Sequence, residues 1–254
     1  MGKDFRYYET QSVQNTIKWL EDALYDDDMK FIKTIINNES WHGMNHTTMT
    51  KAETLNSVIS KEKTANSRFI FDPENEDSIE DQMYFNMSDT LAPVVKQIAA
   101  WRFGDNTPNR LKITTVLDSN VAIGTGYVYN EDTNKVEAKK TNAISIVLQK
   151  STSNEFGIDA ITAFPELQPN IKKEMKDKTL IHKKNESQYI ITNPEQIEVT
   201  SNGKIKPETI KESETYKNAS ERKREQLIQK CIDAGEEINK KSIPNNFQKE
   251  IEHP

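Results

Sequence analysis

Cysteine is nearly absent from this chain: Cys231 stands alone among 254 residues. A single thiol makes no internal disulfide and supplies no Cys-based zinc cage. Long apolar runs are missing too. No stretch approaches the roughly 20 apolar residues a membrane helix needs, and the opening "MGKDFRYYETQ" lacks the apolar core of a secretion signal. The expectation is a cytoplasmic protein with no membrane association. The Met-Gly start does not read as a myristoylation signal, because Phe5-Arg6 replaces the small polar residue wanted near position six. Basic excess is also lacking, since 34 Lys and Arg face 40 Asp and Glu, for a formal net charge of -6. Non-specific duplex binding rests on many cation–phosphate contacts, so that class is disfavoured. An enzyme that grips a few phosphates in one pocket is not. Hydrophobic residues make up only 34% of the chain, which predicts an extended polar tail or an exposed helix alongside the core.

Familiar ligand signatures are absent as well. "GTG" at 124–126 follows a strand pattern but leads into another strand rather than a helix, so it is no dinucleotide or phosphate loop. There is no Gly-x-Ser-x-Gly elbow. "HGMNH" spaces His42 and His46 four residues apart, as two zinc ligands on a helix would be. Gly43 and Asn45 suit a loop, no glutamate lies between the histidines, and no third ligand has a recognisable spacing. The expectation is no metal and no cofactor.

What is present is a sequence of periodicities. Ile17, Leu20 and Leu24, then Ile32, Ile35 and Ile36, recur at helical spacing and predict two helices over 11–37. "NNESWHGMNH" (37–46) reads as a loop. Thr50 with Glu53 forms a capping-box signature for a helix carrying Leu55, Val58 and Ile59. "SRFIFDPENED" reads as a short aromatic strand. Ser78 starts a longer helical region through Trp101, with a break near Ser88 or Pro93. The period then changes to two in "LKITTVLD", "VAIGTGYVYN", "AISIVLQK" and "GIDAITAF", and one more strand follows in "QYIITNPEQIEV". "NEDTNKVEAKKTN" reads as a mobile loop, and the basic run "IKKEMKDKTLIHKK" (171–184) as a solvated helix or an RNA-binding face. Past residue 200 a helix capped by Ser220 places Leu227, Ile228, Cys231 and Ile232 on one face and stops at Gly235. Helices, then an antiparallel sheet, then a helical tail make an α+β arrangement. The expected division is a helical segment 1–40, an α+β domain 41–200 and a charged, partly helical tail 201–254.

The remaining chemistry-bearing residues suit RNA transesterification. That reaction takes a proton from a 2′-hydroxyl, gives one to the leaving 5′-oxygen, and needs donors for the charge on the phosphorane. His46 is the candidate acid or base, because imidazole titrates nearest neutrality. Arg68, or Lys61 and Lys63, are candidates to neutralise the phosphate. The hydroxyl of Thr162, at the end of a late strand, is placed to orient a phosphate oxygen or the ribose. Each has a plainer reading: His46 as a polar loop residue, Arg68 as a surface ion pair, Thr162 as a β-branched residue at home in a strand.

The order of these pieces is more telling than any one of them. His46 precedes Leu55, then come "SRF" (67–69), a helix ending in "QIAAW" (97–101), the strand "AIGTGYV" (122–128) and "ITAFP" (161–165). Over residues 42–167 this resembles the RNase A-like toxin domains at the C-termini of bacterial contact-dependent inhibition proteins. It also resembles the barnase/EndoU/colicin/RelE-like nuclease domains of phages and mobile elements. The resemblance implies a metal-independent ribonuclease toxin or effector that leaves a 2′,3′-cyclic phosphate. With it, His46, Thr162 and Arg68 stand as the candidate catalytic residues, Lys61, Lys63 and Phe164 as the candidate substrate-binding residues, and RNA and an immunity or antitoxin protein as the expected partners. Two departures stand out. Ser57 and Val58 fill the region where the toxin domains carry an arginine, and Thr162-Ala163-Phe164 replaces their Thr-Ala-Tyr. The alternative is a catalytically degenerate nuclease fold serving as an interaction module, with the apolar face of the C-terminal helix offered to a partner.

Overall fold

The computed structural model describes residues 11–25, 29–60, 62–71, 75–117, 122–130, 135–167, 179–184, 187–192, 199–201 and 207–242. The fold is α+β. Helices α1 (Gln11–Leu24) and α2 (Lys30–Ile36) open the chain, followed by the single turn α3 (Asn45–Thr48) and by α4 (Lys51–Ile59). Thr50 and Glu53 cap α4 reciprocally, each side chain accepting from the other's backbone N–H. Strand β1 (Ala65–Phe69) leads to α5 (Ile79–Leu91), where the Ser78 side chain accepts from the Asp81 amide. A turn of 3-10 helix at Ala92–Val94 accommodates Pro93 before α6 (Val95–Phe103) begins. The break falls where the proline removes an amide donor.

Strands β2 (Arg110–Val116), β3 (Gly124–Asn130), β4 (Lys135–Thr141), β5 (Ala143–Lys150), β6 (Ile158–Pro165), β7 (Thr179–Lys184), β8 (Ser187–Thr192) and β9 (Val199–Ser201) form two sheets with β1. One runs β1-β3-β4-β9, and the other β6-β5-β2-β8-β7. All described pairings are antiparallel except that of β2 with β8. Three local expectations are corrected. The polar stretch read as a mobile loop contains β4, whose Val136 and Ala138 are buried. The end of the basic run read as a helix is β7, while residues 171–178 lie outside the described residues. The last helix, α8 (Glu221–Ser242), continues through Gly235. An interior glycine costs a helix about 1 kcal/mol, which lowers its stability without ending it.

Two apolar cores hold these layers. In the first, Leu20, Phe31, Ile35, Met87, Ile98 and Trp101 of the helices pack on Ile113, Ile146 and Ala163 of the five-stranded sheet. The helices of 11–36 therefore share a core with the strands. In the second, Leu55, Val58 and Ile59 of α4 meet Val136 and Ala138 of β4, and Ile210, Leu227 and Cys231 complete the cluster. The tail is thus packed onto the fold, and Asn56 of α4 donates to the Thr215 hydroxyl in α7 (Glu214–Lys217) at 3.1 Å. Among the described residues no helix is long and apolar enough to cross a membrane.

Candidate active site

The end of β6 is shaped by a bulge. Strand β5 pairs Gln149 with Asp159 and Leu148 with Ala160, but then Val147 with Thr162 and Ile146 with Ala163. Ile161 is the extra residue. Because side chains alternate along a strand, one inserted residue reverses which face the following ones take. Ile158 and Ala160 face the first core before the bulge and Ala163 after it. Thr162 and Phe164 are thereby turned to the opposite face, in register with Val147 and Lys112 and with Ser145 and Thr114 respectively.

Beyond the bulge the chain runs across the other sheet. Ser67 Oγ of β1 donates to the Pro165 carbonyl at 2.7 Å. The two glycines of "GTG" permit this approach. A Cβ on Gly124 would lie 2.2 Å from Pro165 Cβ, and one on Gly126 would lie 2.2 Å from the Asn66 carbonyl and 2.8 Å from Leu167 Cδ1. The motif serves packing between strands.

The histidine loop is fastened to the same strand. Asn38 Nδ2 donates to the Ala160 carbonyl at 3.0 Å, and the His42 amide to the Ile161 carbonyl, also at 3.0 Å. Where the loop, β1 and the end of β6 meet there is a cleft of ≈ 240 Å³. His42, His46, Lys63, Asn66, Thr162, Phe164 and Glu166 supply its functional groups. The bulge therefore places a threonine and an aromatic ring on the wall facing two imidazoles.

His46 is 8% exposed, with Nδ1 2.7 Å from the Ser67 carbonyl oxygen. A carbonyl only accepts, so Nδ1 carries the hydrogen and the neutral ring keeps its lone pair on Nε2. Burial pushes the imidazole below its ordinary value of 6.5, the Ser67 bond partly opposes this, and the charges of Lys63 and His42 add to the lowering. The ring is thus held neutral and ready to accept a proton. Its centroid is 5.7 Å from that of Phe164. The Thr162 hydroxyl is a donor and acceptor at hand, because it is 7% exposed and its Oγ1 has no hydrogen-bond partner among the described residues.

Lys63 is the cation of the cleft. Its Nζ donates to Asn66 Oδ1 at 3.4 Å, and Asn66 Nδ2 donates to Ser57 Oγ at 2.8 Å. Ser57, in the region where the toxin resemblance expects an arginine, thus orients the asparagine that holds Lys63. Arg68 differs from its expected place. It does not line the cleft, its Nε is buried without a partner among the described residues, and its charge bears on Tyr127 of β3. Lys61 lies outside the described residues.

Asn66 and Glu166 of the cleft escaped the sequence reading. Glu166, 5% exposed, accepts from Lys112 Nζ of β2 in an ion pair and from Ser145 Oγ of β5 at 2.9 Å. Ser145 Oγ also meets Thr114 Oγ1 at 2.7 Å. Lys112 Nζ sits 5.2 Å from the centroid of the Phe164 ring, so the network that neutralises Glu166 also braces the aromatic wall. Its partners come from strands far apart in sequence, and no local spacing announces them. Among the described residues, no group of three or more His, Cys, Asp and Glu is placed to hold a metal ion.

No family model matches the chain, and no curated protein matches it. A solved structure of a CdiA-CT/CdiI complex from Y. kristensenii 33638 contains a similar chain at 20% identity and a TM-score of 0.38. The likeness covers 49% of this chain and 96% of that one. At that level it bears on neither chemistry nor partners.

Proposed function

We propose that the protein is a metal-independent endoribonuclease of toxin or effector type, cleaving RNA by attack of the 2′-hydroxyl to leave a 2′,3′-cyclic phosphate. The observation that carries this reading is the arrangement of His46 and Thr162. A neutral imidazole with Nδ1–H tied to the Ser67 carbonyl shares one cleft with a buried, unpartnered hydroxyl. His46 Nε2 takes the 2′-hydroxyl proton, Thr162 Oγ1 bonds a phosphate oxygen, Lys63 balances the phosphate charge, and Phe164 offers its ring to a base or ribose. Of the cations the sequence offered for this role, Arg68 or Lys61 and Lys63, this reading takes Lys63. A cell making such an enzyme needs a neutralising immunity or antitoxin protein, and the site of action is the cytoplasm.

The test is RNA cleavage in EDTA by the wild type, His46→Ala and Thr162→Ala. Both variants are expected to lose activity, His46→Ala by about 10²–10⁴-fold, with cyclic-phosphate ends on the wild-type products. Because burial holds the His46 imidazole below 6.5, the acid limb of the rate profile belongs below 6.5. Below it the base is protonated and the rate falls. A folded wild type that cleaves no RNA would overturn the reading and leave the degenerate interaction module in its place. The apolar face expected to serve such a module is largely taken: Leu227 and Cys231 are fully buried and Ile228 packs against the same core.

A further inference from the structure

Transesterification also requires a proton for the departing 5′-oxygen, and His46 acting as base cannot provide it in the same step. Six other polar residues line the cleft; Thr162 is already assigned to the phosphate, and Ser67 Oγ donates its proton to the Pro165 carbonyl. Glu166 is committed as an acceptor to Lys112 and Ser145. Asn66 has no acidic proton, and its amide is engaged with Ser57 and Met49. Lys63 bonds Asn66 Oδ1 and is already assigned to the charge of the phosphate. His42 is left.

Its geometry repeats that of His46. His42 Nδ1 lies 3.0 Å from the Ser40 carbonyl oxygen, so Nδ1–H donates there and Nε2 is the atom left to exchange protons. His42 lines the cleft, and its charge bears on His46. Its amide is tied to the Ile161 carbonyl at the bulge, so one contact aligns it with the strand that presents Thr162. Unlike His46 it is exposed, which suits a group that must be recharged by water after each turnover.

Resting on the ribonuclease reading of this cleft, we infer that His42 is the general acid of the reaction, paired with His46 as base. The 2′-oxygen forms a bond to phosphorus as His46 Nε2 takes its proton. The phosphorus–5′-oxygen bond breaks as that oxygen takes the proton from His42 Nε2. The products are a 2′,3′-cyclic phosphate and a 5′-hydroxyl, and the two imidazoles have exchanged protonation states. Solvent restores them.

A change of leaving group separates acid from base. An RNA dinucleotide needs a protonated leaving oxygen, whereas a ribonucleoside 3′-(4-nitrophenyl phosphate) releases a phenolate that needs none. His42→Ala and the polar His42→Gln are expected to slow dinucleotide cleavage by about 10²–10⁴-fold and 4-nitrophenyl release by less than about tenfold. His46→Ala should slow both. The assignment is overturned if the His42 variants cleave the dinucleotide like wild type, or if they lose both substrates equally with an unchanged melting curve. A wild type inactive on both substrates removes the ribonuclease reading itself, an outcome distinct from either.

Discussion

At the scale of single residues, Thr162 sets function against stability. Its hydroxyl is buried with no partner among the described residues, and such a group costs about 1–3 kcal/mol of desolvation. A fold selected for stability alone would place valine there, which has the same shape without the hydroxyl. Thr162→Val should therefore raise thermal stability, by about 1 kcal/mol on the same reckoning, while lowering RNA cleavage. Calorimetry and the cleavage assay on one preparation test both halves. A variant less stable than wild type would mean that the hydroxyl is satisfied in solution and is not held in reserve for a substrate. Thr162, His46, Lys63 and Phe164 were visible in the sequence because each is a residue type with chemistry to offer at the edge of an element. Glu166 was not, since its meaning comes from Lys112 and Ser145, which only the sheet brings beside it. Arg68 was misplaced for a related reason. The cleft runs along Ala65, Asn66 and Ser67 of β1 and does not reach Arg68, and only the packing of β6 and the histidine loop on that strand sets where it ends.

At the scale of elements, the helices were the most legible parts. The Thr50–Glu53 capping box and the Ser78 cap are local devices, and both occur in the fold. The bulge at Ile161 is not local. It appears only in the pairing of β6 with β5, and read as a regular strand, "GIDAITAF" puts Ile158, Ala160, Thr162 and Phe164 on a single face. The polar stretch containing β4 was hidden for another reason. Its alternation is weak, and its two small apolar residues gain their weight from α4 and α8 packing on them. That dependence makes α8 part of the fold. Leu227 is fully buried in the second core, and Leu227→Ala is expected to cost about 2–5 kcal/mol. Urea denaturation measures this. A cost near zero would show α8 detached in solution and its apolar face again available to a partner.

At the scale of the whole molecule, the acidic balance constrains how RNA is held. A net charge of -6 opposes long-range attraction of a polyanion. Binding must then come from the cleft, where Lys63 is the cation facing His46 and the charge of Lys112 is spent on Glu166. Salt dependence reads this directly. For single strands the slope of log affinity against log salt is about -0.7 per phosphate neutralised, so one or two contacts give a slope of about -1. Measured as kcat/KM on a short oligonucleotide between about 50 and 200 mM salt, activity should fall only a few-fold. A slope steeper than about -3 means at least four phosphates engaged, more than this cleft can contact. The basic run 171–184 would then be the place to neutralise next, since its lysines are the densest in the chain. A shallow salt slope of binding affinity that His46→Ala leaves unchanged, while turnover falls by about 10²–10⁴-fold, is the result expected of a small site that grips one phosphate and moves its protons.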